Sequence, residues 1–140
     1  IGVGHILVPE AALRDEGTSY HYLPPSAEVT ADAAALASIE AVLDAHQISY
    51  LCTKTWSTDG FYRETPGRVQ KFREMGCLAV EMEAAAFMAV AQFRGVHFGQ
   101  LLYGGDMVHS DGWDHRAWHS CTDIRERLFW LAAEACLNME

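Results

Sequence analysis

Residues 79–86 read Ala-Val-Glu-Met-Glu-Ala-Ala-Ala, and this run constrains the fold more than any other in the chain. A short apolar approach, Leu78, Ala79 and Val80, meets two carboxylates spaced i, i+2 and then an alanine-rich stretch. The approach has the composition of a buried strand. Strand side chains alternate with period two, so Glu81 and Glu83 would share one face at its carboxyl end. The alanines that follow favour a helix, so the chain must turn from strand to helix at the carboxylates. Desolvating two acids there is costly unless something needs them. An ionised carboxylate only accepts hydrogen bonds, and a pair of adjacent sugar hydroxyls can supply them. The competing reading is that both acids merely cap and charge the first helical turn.

The same alternation runs through the rest of the sequence. Residues 6–8 read as a strand and 9–25 as a long polar and aromatic connection. Thr30 can cap a helix reaching about residue 46, with Asp32 in its first turn and Leu36, Ile39 and Leu43 as its buried stripe. Residues 48–55 alternate like a strand. Thr65-Pro66 opens a helix with Val69, Phe72 and Met75 inward and Gly76 at its end. A strand over 78–82 leads into a helix over 83–94 that is apolar nearly all round, which predicts burial, and Gly95 stops it. A strand over 96–103, a polar loop to Arg116 and a closing helix over 118–137 follow, the last with Ile124, Leu128, Leu131 and Ala135 inward. Strands alternating with helices, without repeat or linker, predict one α/β domain over residues 1–140.

Charge narrows the partners. A net charge of −9, with ten Lys and Arg that form no stripe, opposes nucleic acid and acidic membranes. No apolar run has the length of a membrane span, and the opening residues do not read as a signal peptide. Cys52, Cys77, Cys121 and Cys136 form no C-x-x-C pair and lie in apolar or helical contexts. They are expected to be reduced thiols in or near the core of a cytoplasmic protein.

Five segments, taken in order, resemble the nucleoside phosphorylase family, which includes purine nucleoside and uridine phosphorylases and related nucleosidases. Val80-Glu81-Met82-Glu83-Ala84-Ala85-Ala86 resembles its ribose-binding signature. Ala12-Leu13-Arg14-Asp15-Glu16-Gly17-Thr18-Ser19, followed by Tyr20-His21-Tyr22-Leu23-Pro24, is similar to a segment of many bacterial members. Thr58-Asp59-Gly60-Phe61-Tyr62 looks like the base-stacking segment, and Gly104-Gly105-Asp106 lies where the family places a catalytic aspartate after a strand. Trp113-Asp114-His115-Arg116 resembles a further segment of one bacterial branch. The resemblance implies a three-layer αβα fold around a central mixed sheet. It also implies that the family's N-terminal half, with its glycine-rich phosphate loop and phosphate-binding arginines, is missing here, since residues 1–9 read as the middle of a buried strand.

By the same resemblance, Glu83 binds the ribose hydroxyls, Met82 contacts the sugar and Glu81 supports the region. From the residues alone, Met82 reads as a core methionine. Phe61 would stack on the base, where a structural aromatic is the alternative. Asp106 would protonate or hydrogen-bond the purine N7 as negative charge develops on the leaving base, with Arg116 assisting, although Gly-Gly-Asp also suits an ordinary turn. The uridine branch carries a Gln-x-Arg pair shortly after the stacking aromatic; residues 61–68 have none, which favours purines. The implied reaction is phosphorolysis of an N-glycosidic bond, with inorganic phosphate as co-substrate and no other cofactor, in a dimer or trimer of dimers. Hydrolysis of the same bond and a non-catalytic remnant are the alternatives. Were phosphate held within these residues, Arg14, Arg63 and Arg68 would be the first candidates. His109, Asp111, Asp114, His115 and His119 lie close in sequence, but their spacing matches no fixed zinc motif, and no metal site is expected.

Overall fold

The computed structural model describes residues 1–109, 112–116 and 122–139. Its centre is β1 (Ile6–Asp15), far longer than the three residues expected. Pro9 cannot donate to a ladder, so the sequence suggests a stop there. The register of β1 instead shifts between Pro9 and Ala11, leaving Glu10 as an extra residue, and pairing resumes to Asp15. The connection expected from residue 9 therefore begins only after Asp15, and it is followed by β2 (Glu28–Thr30), antiparallel to β1. α1 (Ala33–Ala45) leads to β3 (Tyr50–Thr58), parallel to β1, and α2 (Pro66–Glu74) leads to β4 (Cys77–Glu81), parallel to β3. α3 (Ala84–Arg94) returns the chain to β5 (Leu102–Tyr103), antiparallel to the amino end of β1. The result is a five-stranded mixed sheet, in the order β2-β1-β3-β4 with β5 also on β1. A separate ribbon of β6 (Met107–His109) and β7 (Gly112–Asp114) occupies the expected polar loop, and α4 (Thr122–Leu137) closes the fold.

The helices form layers because of how the strands alternate. Tyr50 and Trp56 of β3 share a face, since they are six residues apart along an uninterrupted strand. Tyr50 packs with Ile6 and Val8 of β1, Ile39, Val42 and Leu43 of α1, and Leu128, Leu131 and Ala135 of α4. Trp56 packs with Leu13 of β1 and Phe72 of α2, its ring centroid 4.5 Å from the Phe72 ring. α1, α2 and α4 thus cover one face. Ala12 of β1 faces the other way and meets Ala84, Ala85 and Met88 of α3 together with Val29. The extra residue at Glu10 lets Val8 and Leu13, five positions apart, serve the same face. Helices on both faces of a mixed sheet make the three-layer α/β arrangement expected.

Several local expectations are corrected. α1 is capped by Asp32 rather than Thr30: its Oδ1 accepts the Ala35 N–H at 2.8 Å and pairs with His97 Nδ1 at 2.9 Å. Thr30 is held in β2 instead. Met75 caps the end of α2 and is exposed, although Gly76 (φ 92°) and Gly95 (φ 66°) do end their helices as read. The strand expected over 96–103 pairs only at Leu102 and Tyr103. A Cβ on Gly99 would lie 2.6 Å from Ile39 Cδ1, so the backbone there runs against α1 instead of along the sheet. α3 is not buried all round: Ala84, Ala85, Met88, Ala89 and Ala91 are, while Phe87 and Phe93 are exposed. Of the thiols, Cys77 is buried and burial pushes it up to about 11, whereas Cys52 and Cys136 are exposed; all three are free, and Cys121 lies outside the described residues. Among the described residues no helix is long and apolar enough to cross a membrane.

The Asp32 cap carries a pH signature. The Ala35 N–H first, then His97, hold its carboxyl below the usual value of 3.8. A depressed pKa contributes stability that is complete above the unfolded-state value and is lost as pH falls through the folded one. Asp32→Ala should cost about 1 kcal/mol at pH 7. Asp32→Asn keeps an acceptor, so it should cost less and should flatten the loss of stability below about pH 4. Urea unfolding from pH 3 to 7 measures both; an unchanged acid limb in Asp32→Asn would show that this carboxylate is not coupled to folding.

Candidate active site

β1, β3 and β4 are parallel, and their carboxyl ends lie side by side: Asp15 is level with Thr58, and Ser57 with Glu81. Open α/β sheets bind ligands beyond this edge. The two glutamates of the opening run have different environments here. Glu81 ends β4 half-buried, and its Oε1 accepts the hydroxyl of Ser57. Its Oε2 accepts the N–H groups of Glu83, at 2.8 Å, and Ala84. Ser57 accepts the Ala85 N–H at 2.9 Å. Glu81 is therefore the carboxylate that caps α3. Glu83 sits outside the strand at the N-cap position (φ −128°, ψ −31°), and its side chain makes no cap bond to the helix. Its Oε2 accepts only a local 3.3 Å bond from the Met82 N–H among the described residues. The capping reading holds for one acid of the pair and leaves the other exposed at the edge, beside the positive end of the α3 dipole. Met82 is 43% exposed, which removes the core-methionine reading.

The neighbouring turn carries Phe61, on a short 3-10 segment (Phe61–Arg63) directly after β3. Phe61 is 48% exposed and its ring lies 4.0 Å from that of Tyr62. The turn is tied down on both sides. Thr58 Oγ1 accepts the Gly60 N–H at 3.2 Å, and Asp59 Oδ2 accepts the Gly17 N–H at 3.1 Å from the loop after β1. That loop is organised by Arg14, which is 5% exposed. Its guanidinium donates to Ser19 Oγ at 2.8 Å, to the Pro24 carbonyl and Ser26 Oγ at 2.7 Å each, and to the Leu23 carbonyl at 3.3 Å, and it lies over the Tyr20 ring. Ser19 in turn bonds the carboxylate of buried Glu16. Arg68 forms an ion pair with Asp15, which also accepts the Trp56 indole N–H at 2.8 Å.

Asp106 lies on the loop between β5 and β6. β5 is antiparallel to β1, so the strand before Asp106 does not point to the edge that carries Glu81 and Glu83. The β6 strand that follows Asp106 packs against α2. Glu64, the residue after the Phe61–Arg63 turn, has its carboxyl pushed above the usual range by burial first and then by the negative charge of Asp106. Arg116 holds this loop through its main chain, donating from Nη2 to the Asp106 carbonyl at 2.9 Å and from Nη1 to the Ile1 carbonyl at 2.8 Å. Among the described residues no three His, Cys, Asp or Glu side chains converge as a metal site; Asp111, His119 and the side chain of His109 lie outside them.

Sequence reasoning passed over Ser57, Glu64 and the Asp15–Arg68 pair. Ser57 had a signal: it is the small hydroxyl at the end of an alternating Thr53, Thr55, Ser57 series that faces the α3 alanines. Glu64 and Asp15 had none, because each is defined by a partner more than 40 residues away.

The unequal roles of the two acids predict unequal stabilities. Glu81→Ala strips the acceptor from two N–H groups of the helix terminus and should destabilise the fold by about 1–2 kcal/mol. Glu83→Ala should change stability by less than about 0.5 kcal/mol, as for an exposed side chain. Denaturant unfolding of both variants decides it; equal losses would contradict the division of roles.

Residues 1–137 match the family model described as the Phosphorylase superfamily. The guanosine phosphorylase of Halorubrum lacusprofundi is 29% identical over 99 residues, which cover 71% of this chain and 41% of that protein. The uridine phosphorylase of Salmonella typhimurium is 28% identical over 116 residues, covering 72% of this chain and 46% of that protein. Among solved structures, the P. knowlesi homologue of P. falciparum PNP superposes with a TM-score of 0.76 at 19% identity, over 97% of this chain and 54% of that one. The AMP nucleosidase of Bacteroides thetaiotaomicron does so with a TM-score of 0.73 at 22% identity, over 96% and 52%. The chain thus spans less than half the length of the curated relatives it matches. With the fold shared and the family model matched almost from end to end, the chain belongs to the phosphorylase superfamily.

Proposed function

We propose that these residues form the nucleoside-binding part of a nucleoside phosphorylase, which exchanges the base of a nucleoside for phosphate at the ribose C1′. The observation that carries this reading is the exposed carboxylate of Glu83, set at the carboxyl edge of the sheet while Glu81 takes over the helix cap. An acceptor-only group there suits two adjacent ribose hydroxyls. Met82 contacts the sugar and Phe61 offers its face to the base. Asp106 is the acid that meets the charge developing on the leaving base. Arg116 acts on it indirectly, by fixing the backbone of its loop. The absence of a Gln-x-Arg pair after Phe61, together with Asp106, favours a purine over uridine.

Phosphate is the second substrate, and two of the three candidate arginines, Arg14 and Arg68, are poorly placed to hold it. Arg14 spends its guanidinium on carbonyls and hydroxyls inside the fold, and Arg68 is neutralised by Asp15. Positioning two reactants supplies about 7–11 kcal/mol of barrier reduction, which these residues alone would forgo. Residues 1–140 are therefore expected to show negligible phosphate-dependent release of base from guanosine or uridine. In a chain that also carries a phosphate-binding half, release should require phosphate, and Glu83→Ala should abolish it. Release of base measured with and without phosphate tests this. Robust phosphate-dependent cleavage by residues 1–140 would overturn the account of Arg14 and Arg68. Phosphate-independent release would make the reaction a hydrolysis.

A further inference from the structure

The Glu83 carboxylate has almost nothing of its own to hold it. Its side chain is exposed and makes only the local bond to the Met82 N–H among the described residues, so its direction depends on the backbone that carries it. That backbone is fixed from β3. Ser57 is wholly buried, and its one oxygen both donates to Glu81 Oε1 and accepts the Ala85 N–H at 2.9 Å. Glu81 then holds the N–H groups of Glu83 and Ala84 with its other oxygen. Three successive N–H groups, 83 to 85, are thereby bound to two side chains that also bind each other. We propose that Ser57 is a positioning residue for Glu83, acting through Glu81 and the first turn of α3 to aim the Glu83 carboxylate at the ribose hydroxyls.

The residue type fits the task. Ala84 and Ala85 are both fully buried, so α3 lies close against the sheet. A serine hydroxyl is small enough for that gap and can donate and accept at once. Alanine would keep the volume but leave the Ala85 N–H without its acceptor and free Glu81 Oε1 to turn. The helix would remain, packed through its alanines and Met88, but the N-cap residue would lose its fixed direction.

This inference rests on the proposed nucleoside-binding role, and the test separates the two. The 140-residue chain is titrated calorimetrically with guanosine and 2′-deoxyguanosine, and with uridine and 2′-deoxyuridine, to obtain the preference for the ribonucleoside. Glu83→Ala is expected to abolish that preference. Ser57→Ala should narrow it by about tenfold, the scale of a hydrogen bond to a charged group. Ser57→Ala added to Glu83→Ala should change it no further, because residues that act as a unit are non-additive. A preference that survives Ser57→Ala, or one that falls independently of Glu83, overturns the role of Ser57. Loss of preference is not expected from mere destabilisation, which weakens both nucleosides alike. If Glu83→Ala leaves the preference intact, or the unaltered chain shows none, the ribose-binding reading itself fails. Should Ser57→Ala not fold, Glu81→Gln tests the same link: it keeps one oxygen for the helix and replaces the other acceptor. It should narrow the preference, with no further effect in the Glu83→Ala background.

Discussion

A helix that starts immediately after a buried strand, packed on the sheet through alanines, has a problem at its amino terminus. Its first N–H groups have no partners within the helix, and close packing limits the water that can reach them. In this chain Glu81 and Ser57 supply the missing acceptors, one at the end of β4 and one level with it on β3. The arrangement works only if β3 and β4 are parallel and in this register, and only if α3 comes close enough for Ala85 to reach Ser57. The register, the helix approach and the exposed position of Glu83 are thus one solution to one accounting of hydrogen bonds.

The same edge is reinforced from the β1 side. The extra residue at Glu10 lets β1 run past Pro9, so that Asp15 ends level with Thr58. The loop that follows would be free to wander, but Arg14 gathers its hydroxyls and carbonyls around one buried guanidinium. A buried cation so fully bonded is costly to remove and of little use to an incoming anion. The Gly17 bond to Asp59 then joins this loop to the turn that presents Phe61. Two segments that resemble family motifs in the sequence are in this way neighbours in space, joined by a bond between their loops.

Much of this was legible in the sequence, for physical reasons that vary by segment. The α/β class and the ends of α2 and α3 could be read because periodicity and terminal glycines are local signals. From sequence β1 reads short, because Pro9 is a stop signal unless a bulge absorbs it, and no local pattern announces the bulge. The cap of α1 is ambiguous in sequence by two residues, since Thr30 and Asp32 are both good caps and only the pairing of Thr30 in β2 decides between them. Glu81 and Glu83 stand out together in the sequence and look equivalent there; their different environments appear only when Ser57 comes alongside. Asp106 stands out by its motif, while nothing local in the sequence marks Glu64, whose carboxyl is raised by burial and by the charge of Asp106, 42 residues away.

The central claim is that the two acids divide the work, Glu81 holding the helix and Glu83 meeting the sugar. The most direct measurement follows the side-chain carboxyl carbons of both residues by NMR as guanosine is added to the labelled chain. The account predicts that the Glu83 signal moves on binding and that the Glu81 signal, already bonded to Ser57 and two N–H groups, stays nearly still. A shift at Glu81 with Glu83 unmoved would contradict it.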